Sequence, residues 1–410
     1  MSSPTIAAPA IDVPAHVPGE CVWNHDLSAF LHEGDDPHVA AGRLHDGPGV
    51  IWVPTAAHGR PAWVFTRHAL IQEGFFDWEA FSSTRGSNAA VMDSNWLLLP
   101  VEADRPDHPH YRQVLNPLFT PSAIGTRASA VQALCDELID AFAERGHCEL
   151  VSEFASILPN AIVIALLGLP RESLPHFLSL EEQVVHGATP EIAYAAGQKI
   201  IDLLKDHIAE QQARPERATD VMQAILGGRM PDRAFTEAEI LGFVYLMFVA
   251  GLDTVTSSLG WIMRHLALDQ RLQARLRANP GDIPQAIEEF TRAFGVSAPS
   301  RTVSRDMEFH GVPMKAGEAV LLPTYLAGRD PRAWDRPHVI DIDRRPRHIT
   351  FGTGPHVCLG VHLAKREMKV MLETFLRRLP VIRLADGGRY QFHTSNTIGV
   401  DCLDLQWDPA

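Results

Sequence analysis

Phe351-Gly352-Thr353-Gly354-Pro355-His356-Val357-Cys358-Leu359-Gly360 places three glycines, a histidine and a cysteine directly ahead of an apolar-periodic stretch, Val361 to Leu379, that reads as a helix. Gly352 and Gly354 suit a loop too tight for side chains, and Gly360 permits close backbone approach. A cysteine at that point faces loop N–H groups and the positive end of the following helix, which together stabilise a thiolate of the kind a metal-ligating sulfur needs. A cysteine alone reads as a buried structural residue. The residues around it therefore decide its meaning.

Working outward, Glu289-Phe290-Thr291-Arg292 sets an acid and an arginine three apart on a predicted helix, Pro284 to Phe294, which opens on proline and repeats Ile287, Phe290 and Phe294 at helical spacing. Strand-like runs follow at Met307 to Met314 and Ala319 to Leu322, then a Pro-rich charged meander from Asp330 to Arg347 that contains Arg344. Earlier, the longest proline-free stretch, Asp232 to Asn279, opens with Thr236, Glu237 and Glu239 and predicts a helix of about 30 residues, some 45 Å at about 1.5 Å per residue. Its middle, Ala250-Gly251-Leu252-Asp253-Thr254-Val255, puts an acid and a hydroxyl in apolar surroundings, where a polar group is costly unless satisfied. Gly251 lowers helix propensity by about 1 kcal/mol against alanine. Ala250 and Thr254 lie four apart on one face, so a notch there could hold a small molecule and a water.

The rest of the chain reads as a hairpin of Val50 to Val53 with Ala62 to Thr66, helices at Ser122 to Gly146, Glu149 to Leu167 and Ile192 to Gln212, and short strands from Tyr390 to Leu405. The fold class is mainly α with small β-sheets, one domain over residues 21–410 behind a disordered lead-in at 1–20. With 410 residues, 46% hydrophobic and 21% charged, disordered and fibrous classes are excluded. A formal charge of −14 without any Lys/Arg-rich run argues against nucleic acid. Five widely spaced cysteines, none in C-x-x-C, give neither a disulfide framework nor a cysteine-rich zinc site, and point to a reducing cytoplasm. The N-terminus has no signal-peptide pattern, and the longest apolar run, Ile240 to Leu252, is short of a membrane span.

F-G-x-G-x-H-x-C-x-G resembles the haem-binding loop of the cytochromes P450, the haem-thiolate monooxygenases, with every fixed position filled. The resemblance implies a triangular prism-like fold with the long central helix over the haem (heme b, iron protoporphyrin IX), and Cys358 as proximal ligand of the iron. Phe351 would pack near the sulfur. His356, His108, Arg112 and Arg301 would meet haem propionates. Glu289, Arg292 and Arg344 would form a cluster that fixes the meander. Ala250 to Val255 resembles the oxygen-activating A-G-x-D-T motif, in which Thr254 would stabilise the activated oxygen and Asp253 would relay protons.

The likeness spans nearly the whole chain and narrows to the bacterial camphor hydroxylase branch, carried by Gly251 to Val255, Glu308 to Val312 and the Cys loop. That branch takes electrons from a small acidic two-iron ferredoxin, reduced in turn by an NAD(P)H-dependent flavoprotein, so a three-component (class I) system using O2 is implied. Two positions depart from it: Trp96 stands where the branch has a ketone-binding tyrosine, and Pro299 where it has an aspartate beside a propionate. The expectation is a hydroxylase of a small apolar terpenoid or norisoprenoid, with Trp96, Leu98, Val101, Leu246, Ala250 and Val296 around the substrate. The alternatives are a haem-thiolate sensor or carrier, which has no need of Asp253-Thr254, and a cysteine hydrolase using Cys358 and His356, for which no orienting acid stands out.

Overall fold

A computed structural model describes residues 13–57, 59–84, 96–186, 189–394 and 397–408. Most of the expected lead-in, residues 1–12, lies outside the described residues. From residue 13 the chain makes turns, with Val17 and Cys21 buried. The architecture is mainly helical with small sheets. The chain packs as two compact units, one of Met1–Ser87, Glu289–Val357 and His393–Ile398, the other of Asn88–Glu288, Cys358–Phe392 and Gly399–Ala410.

The first unit is built on a five-stranded sheet of β1 (Val50–Ala57), β2 (Arg60–Phe65), β3 (Phe81–Ser82), β4 (Ser300–Val303) and β5 (Ala319–Leu321), in the order β1-β2-β5-β4-β3. The expected hairpin is β1 and β2, antiparallel, with Trp52 opposite Trp63. β2 then pairs in parallel with β5, Trp63 beside Val320. Phe65 stacks on Phe309 at 4.8 Å and meets Phe81 edge-on at 5.5 Å. Phe309 belongs to a small hairpin, Met307–Phe309 with Val312–Met314.

In the second unit the elements that carry the site are α1 (His108–Leu115), α2 (Ile157–Leu167), α3 (Leu174–His186), α4 (Glu237–Leu268) and α5 (Val361–Arg378). α4 is the predicted central helix, 32 residues long. It ends at Asp269, whose carboxylate accepts from the N–H groups of Arg271 and Leu272 and so starts a separate helix, Gln270–Ala278, in place of one run to Asn279. By length and composition α4 could cross a membrane, yet 59% of its most apolar window is buried inside the protein. The helix expected over Ser122 to Gly146 is broken into Pro121–Thr126 and Ala128–Asp140. Gly125 and Thr126 weaken the first piece, and the Thr126 hydroxyl turns back to the Ala123 carbonyl at 2.7 Å.

α4 is anchored at its start by a capping box in which Thr236 and Glu239 bond each other's backbone N–H. The Glu239 carboxylate also accepts from the Tyr111 hydroxyl of α1 at 2.5 Å and from both Arg233 amino groups at 2.6 and 2.9 Å. Burial pushes this carboxyl up, but Arg233, Thr236 and Tyr111 outweigh it and hold it at about 2. A carboxylate depressed from 4.5 contributes stability that is complete above 4.5 and is lost as pH falls toward 2. Glu239→Gln should therefore cost about 1 kcal/mol at neutral pH. In urea unfolding the difference from the parent should shrink between pH 4.5 and 2; a pH-independent difference would refute the pairing as its source.

Candidate active site

The loop ahead of α5 has the strained backbone its glycines imply: Gly352 and Gly354 both sit at φ +70°. A side chain at Gly354 would press on the Phe75 carbonyl and the Phe76 ring at 3.1 Å. Gly354–His356 then makes one tight helical turn. Phe351 is half-buried with its ring 6.0 Å from that of His348, and the His356 Nε2 is 3.1 Å from the Ser83 hydroxyl. In the second unit, Cys358 is the one exposed cysteine of the five, the others being buried. Its thiol is nevertheless enclosed enough that desolvation, the largest influence, pushes it up against the opposing pull of the Gly360 N–H and the Arg112 guanidinium. The Gly360 N–H and the Arg112 guanidinium favour the thiolate, and burial of the thiol opposes them.

Glu289 and Arg292 are wholly buried on the helix Ile283–Ala293. Arg292 donates from Nε and Nη2 to the two Glu289 oxygens at 2.8 and 2.7 Å. Its remaining N–H groups reach the carbonyls of Gly328, Pro337 and Val339 at 2.6, 2.9 and 3.2 Å. Arg344 donates to Glu289 Oε1 at 3.1 Å, and the Asp341 N–H reaches the same oxygen at 2.9 Å. One buried acid and two arginines therefore pin three points of an irregular meander that lacks ladder bonds of its own.

Within α4, the Thr254 hydroxyl donates to the Ala250 carbonyl at 3.0 Å, and Asp253 accepts from Ser257 at 2.9 Å. Gly251 is where α2 presses on the helix, since a Cβ there would lie 2.4 Å from a Val163 methyl. Leu246 is half-buried and Ala250 exposed, leaving an uncovered stripe on an otherwise buried helix. Close packing at Gly242, where a Cβ would meet the Leu97 carbonyl at 2.1 Å, seats the segment 96–102 directly on α4. On that segment Trp96 meets Tyr245 edge-on at 5.3 Å, Leu98 is buried and Val101 half-buried. In the first unit, Val296 is buried and its carbonyl accepts from the Ile398 N–H at 2.8 Å.

Of the expected propionate partners, His108 is buried on α1 one turn before Arg112. Burial pulls the Arg112 guanidinium down and the Cys358 sulfur opposes it, so the two act on each other. Arg301 is buried on β4, with its guanidinium 5.6 Å over the Phe75 ring. Three features escape sequence reading. Gly242 looks like any helix glycine, Glu181 of α3 looks like a solvent-facing acid, and only Asn160, a polar residue inside the apolar α2, stands out by its surroundings.

The cytochrome P450 family model matches residues 183–283 and 283–386. A probable cytochrome P450 127A1 of Sinorhizobium fredii is 32% identical over 96% of this chain and 97% of its own. A steroid C26-monooxygenase of Mycolicibacterium smegmatis is 30% identical over 81% and 84%. The crystal structure of CYP101J2 superposes with a TM-score of 0.86 at 30% identity, over 97% of this chain and all of that one. This chain belongs to the cytochrome P450 family of monooxygenases, and within it resembles the camphor hydroxylase branch.

The cofactor of that family is heme b. The residues present fit it: a cysteine sulfur enclosed by protein beside the Arg112 guanidinium and the Gly360 N–H, and in the same unit an uncovered apolar stripe on α4 that a flat apolar ring can cover. When bound, haem supplies O2 activation with electron density pushed from an axial thiolate.

Proposed function

We propose that this protein hydroxylates a small apolar terpenoid or norisoprenoid, with Cys358 as the iron ligand, O2 as co-substrate and electrons from a two-iron ferredoxin served by an NAD(P)H-dependent flavoprotein reductase. Residues 21–410 act as one catalytic domain in the cytoplasm. The observation that carries the reading is the α4 stripe, where the Ala250 carbonyl holds the Thr254 hydroxyl and Asp253 sits one residue away. Thr254 orients a proton toward the reacting oxygen and Asp253 replenishes it. His108, Arg112, Arg301 and His356 neutralise the propionates, and Phe351 shields the sulfur. Glu289, Arg292 and Arg344 hold the meander.

The substrate class is supported by the apolar character of the proposed substrate residues of the second unit: Leu98, Val101, Leu246 and Ala250 offer no charge, and Trp96 offers bulk with one N–H donor. Shape and apolar burial then set selectivity, at about 25 cal/mol per Å². The ferredoxin reading is supported by Arg112 and by Arg366 and His362 of α5, which line a groove of about 200 Å³ beside two lysines, Lys365 and Lys369, that are paired with Glu288 and Glu373. Reduction by an acidic ferredoxin should slow as salt rises.

The test is a panel of camphor-like and ionone-like ketones, with a steroid as comparator, titrated into the haem-loaded protein and followed by the low-spin to high-spin shift and by ferredoxin-driven turnover. The small ketones should bind and be hydroxylated and the steroid should not. Trp96→Ala should change relative affinities by about 1–3 kcal/mol, tenfold or more, and alter the product distribution at unchanged haem content. Identical binding and products for parent and variant would place Trp96 away from the substrate.

A further inference from the structure

The peptide that joins Leu97 to Leu98 is held at both of its polar ends. Its carbonyl oxygen rests on α4 at Gly242, where a Cβ would lie 2.1 Å from it, and the Leu99 nitrogen lies 3.6 Å from the same point. The peptide is trans, so its N–H is directed away from that contact. There Glu102 Oε2 accepts it at 2.8 Å. The Glu102 N–H in turn donates to the Leu98 carbonyl at 2.8 Å, so one residue meets both backbone groups of Leu98 and closes the turn Leu98-Leu99-Pro100-Val101-Glu102. Glu102 is wholly buried and Leu98 is 4% exposed. A buried acid is costly unless hydrogen-bonded, and in a turn this apolar a hydrocarbon side chain would bury at less cost. The acid is explained by the N–H it holds.

We propose that Glu102 is a positioning residue for substrate selectivity: its carboxyl fixes the plane of the peptide ahead of Leu98, and with it the directions in which Leu98 and Val101 present their side chains. This rests on the substrate contacts given to those two residues above. The Gly242 contact sets how closely the peptide approaches α4, but a carbonyl can stay near one point while the peptide plane turns about the soft dihedrals on either side. The bond to Glu102 stops that turning, because it would leave a buried N–H without its acceptor. Leu98 and Val101 both lie inside the turn that the two bonds close, so they keep one arrangement. Glu102 acts on the substrate only through them, and a wall held in one shape discriminates among ketones of similar size and polarity.

The experiment uses the holoenzyme with Glu102→Gln, Glu102→Leu, Glu102→Asp and Leu98→Ala. Glutamine keeps an oxygen at the same reach, leucine offers no acceptor, and aspartate is one methylene short. Hydrogen exchange at the Leu98 amide should be slow in the parent and in Glu102→Gln, and about tenfold or more faster in Glu102→Leu. Across the camphor-like and ionone-like ketones, Glu102→Leu should change relative affinities about tenfold and spread the products over more positions, at unchanged haem content. Glu102→Asp should shift both in the same direction and by less, and Glu102→Gln should retain the parent's order of affinities and its products. A Glu102→Leu protein with the parent's affinities and products would overturn the proposal. So would a Glu102→Gln protein altered as much as Glu102→Leu, since the acceptor oxygen would then not be what matters. If Glu102→Leu fails to fold, Glu102→Asp decides by the same readings. If Leu98→Ala changes selectivity while the Glu102 variants do not, the positioning role fails and the substrate reading of the segment stands. If Leu98→Ala changes nothing either, both fail.

Discussion

The Cys358→His protein should give no thiolate-type ferrous–CO absorption and no hydroxylated product. Histidine is a neutral donor and lacks the electron push of a thiolate, so a haem it holds binds CO with a histidine-type band. No other cysteine can take over. Cys21, Cys135, Cys148 and Cys402 are all buried, and desolvation pushes Cys135 up to about 12 and Cys402 up to about 11. Haem content, measured separately, should fall less than activity, because the α4 stripe and the proposed propionate partners are untouched. A thiolate-type band in this variant would refute Cys358 as the ligand.

Arg292→Leu should be the most damaging substitution outside the chemistry. It leaves Glu289 buried with Arg344 as its remaining guanidinium, and strands the carbonyls of Gly328 and Pro337, while Val339 keeps its bond from Arg344. Removing one partner of a buried ion pair costs about 3–5 kcal/mol, against a total stability of about 5–15 kcal/mol. Urea unfolding should show that loss, and proteolysis should open the chain within residues 330–344 first. Arg292→Lys keeps the charge but not the planar fork, and should recover only part of the difference. Arg344→Leu should cost less, since Arg344 is 12% exposed and water can replace some of its bonds. Equal stability of Arg292→Leu and the parent would mean the cluster does not hold the meander.

What could be read from the chain followed physical uniqueness. Gly352 and Gly354 announced their positive φ because few other residues adopt it, and Thr236 with Glu239 announced the start of α4 because their side chains bond N–H groups within one turn. Glu289-Arg292 alone is a common helix-surface pair; the order of elements behind it gave it weight, and its total burial emerged only from the fold. Other features depend on partners far away in sequence. Glu181 is unusual because the fold buries its carboxyl, and the Cys358 thiol is raised because protein encloses it. Thr126 shows the limit of sequence reading: the helix expected over Ser122 to Gly146 is interrupted just after it, where its hydroxyl turns back to the Ala123 carbonyl.

Gly242 bears on how this protein can change. Helix main chain rests on the Leu97 carbonyl there, which fills the place of a Cβ, so this point of the seat of segment 96–102 is made by backbone rather than by the side chains at 96, 98 and 101. Positions 96, 98 and 101 can then be varied together, as in a combinatorial library, with the backbone held in one register, whereas any side chain at 242 dislodges the whole segment. Under the function proposed above, selectivity would be a replaceable part on a fixed mount, and new substrate ranges would arise from a handful of side-chain substitutions without a search for a new loop conformation.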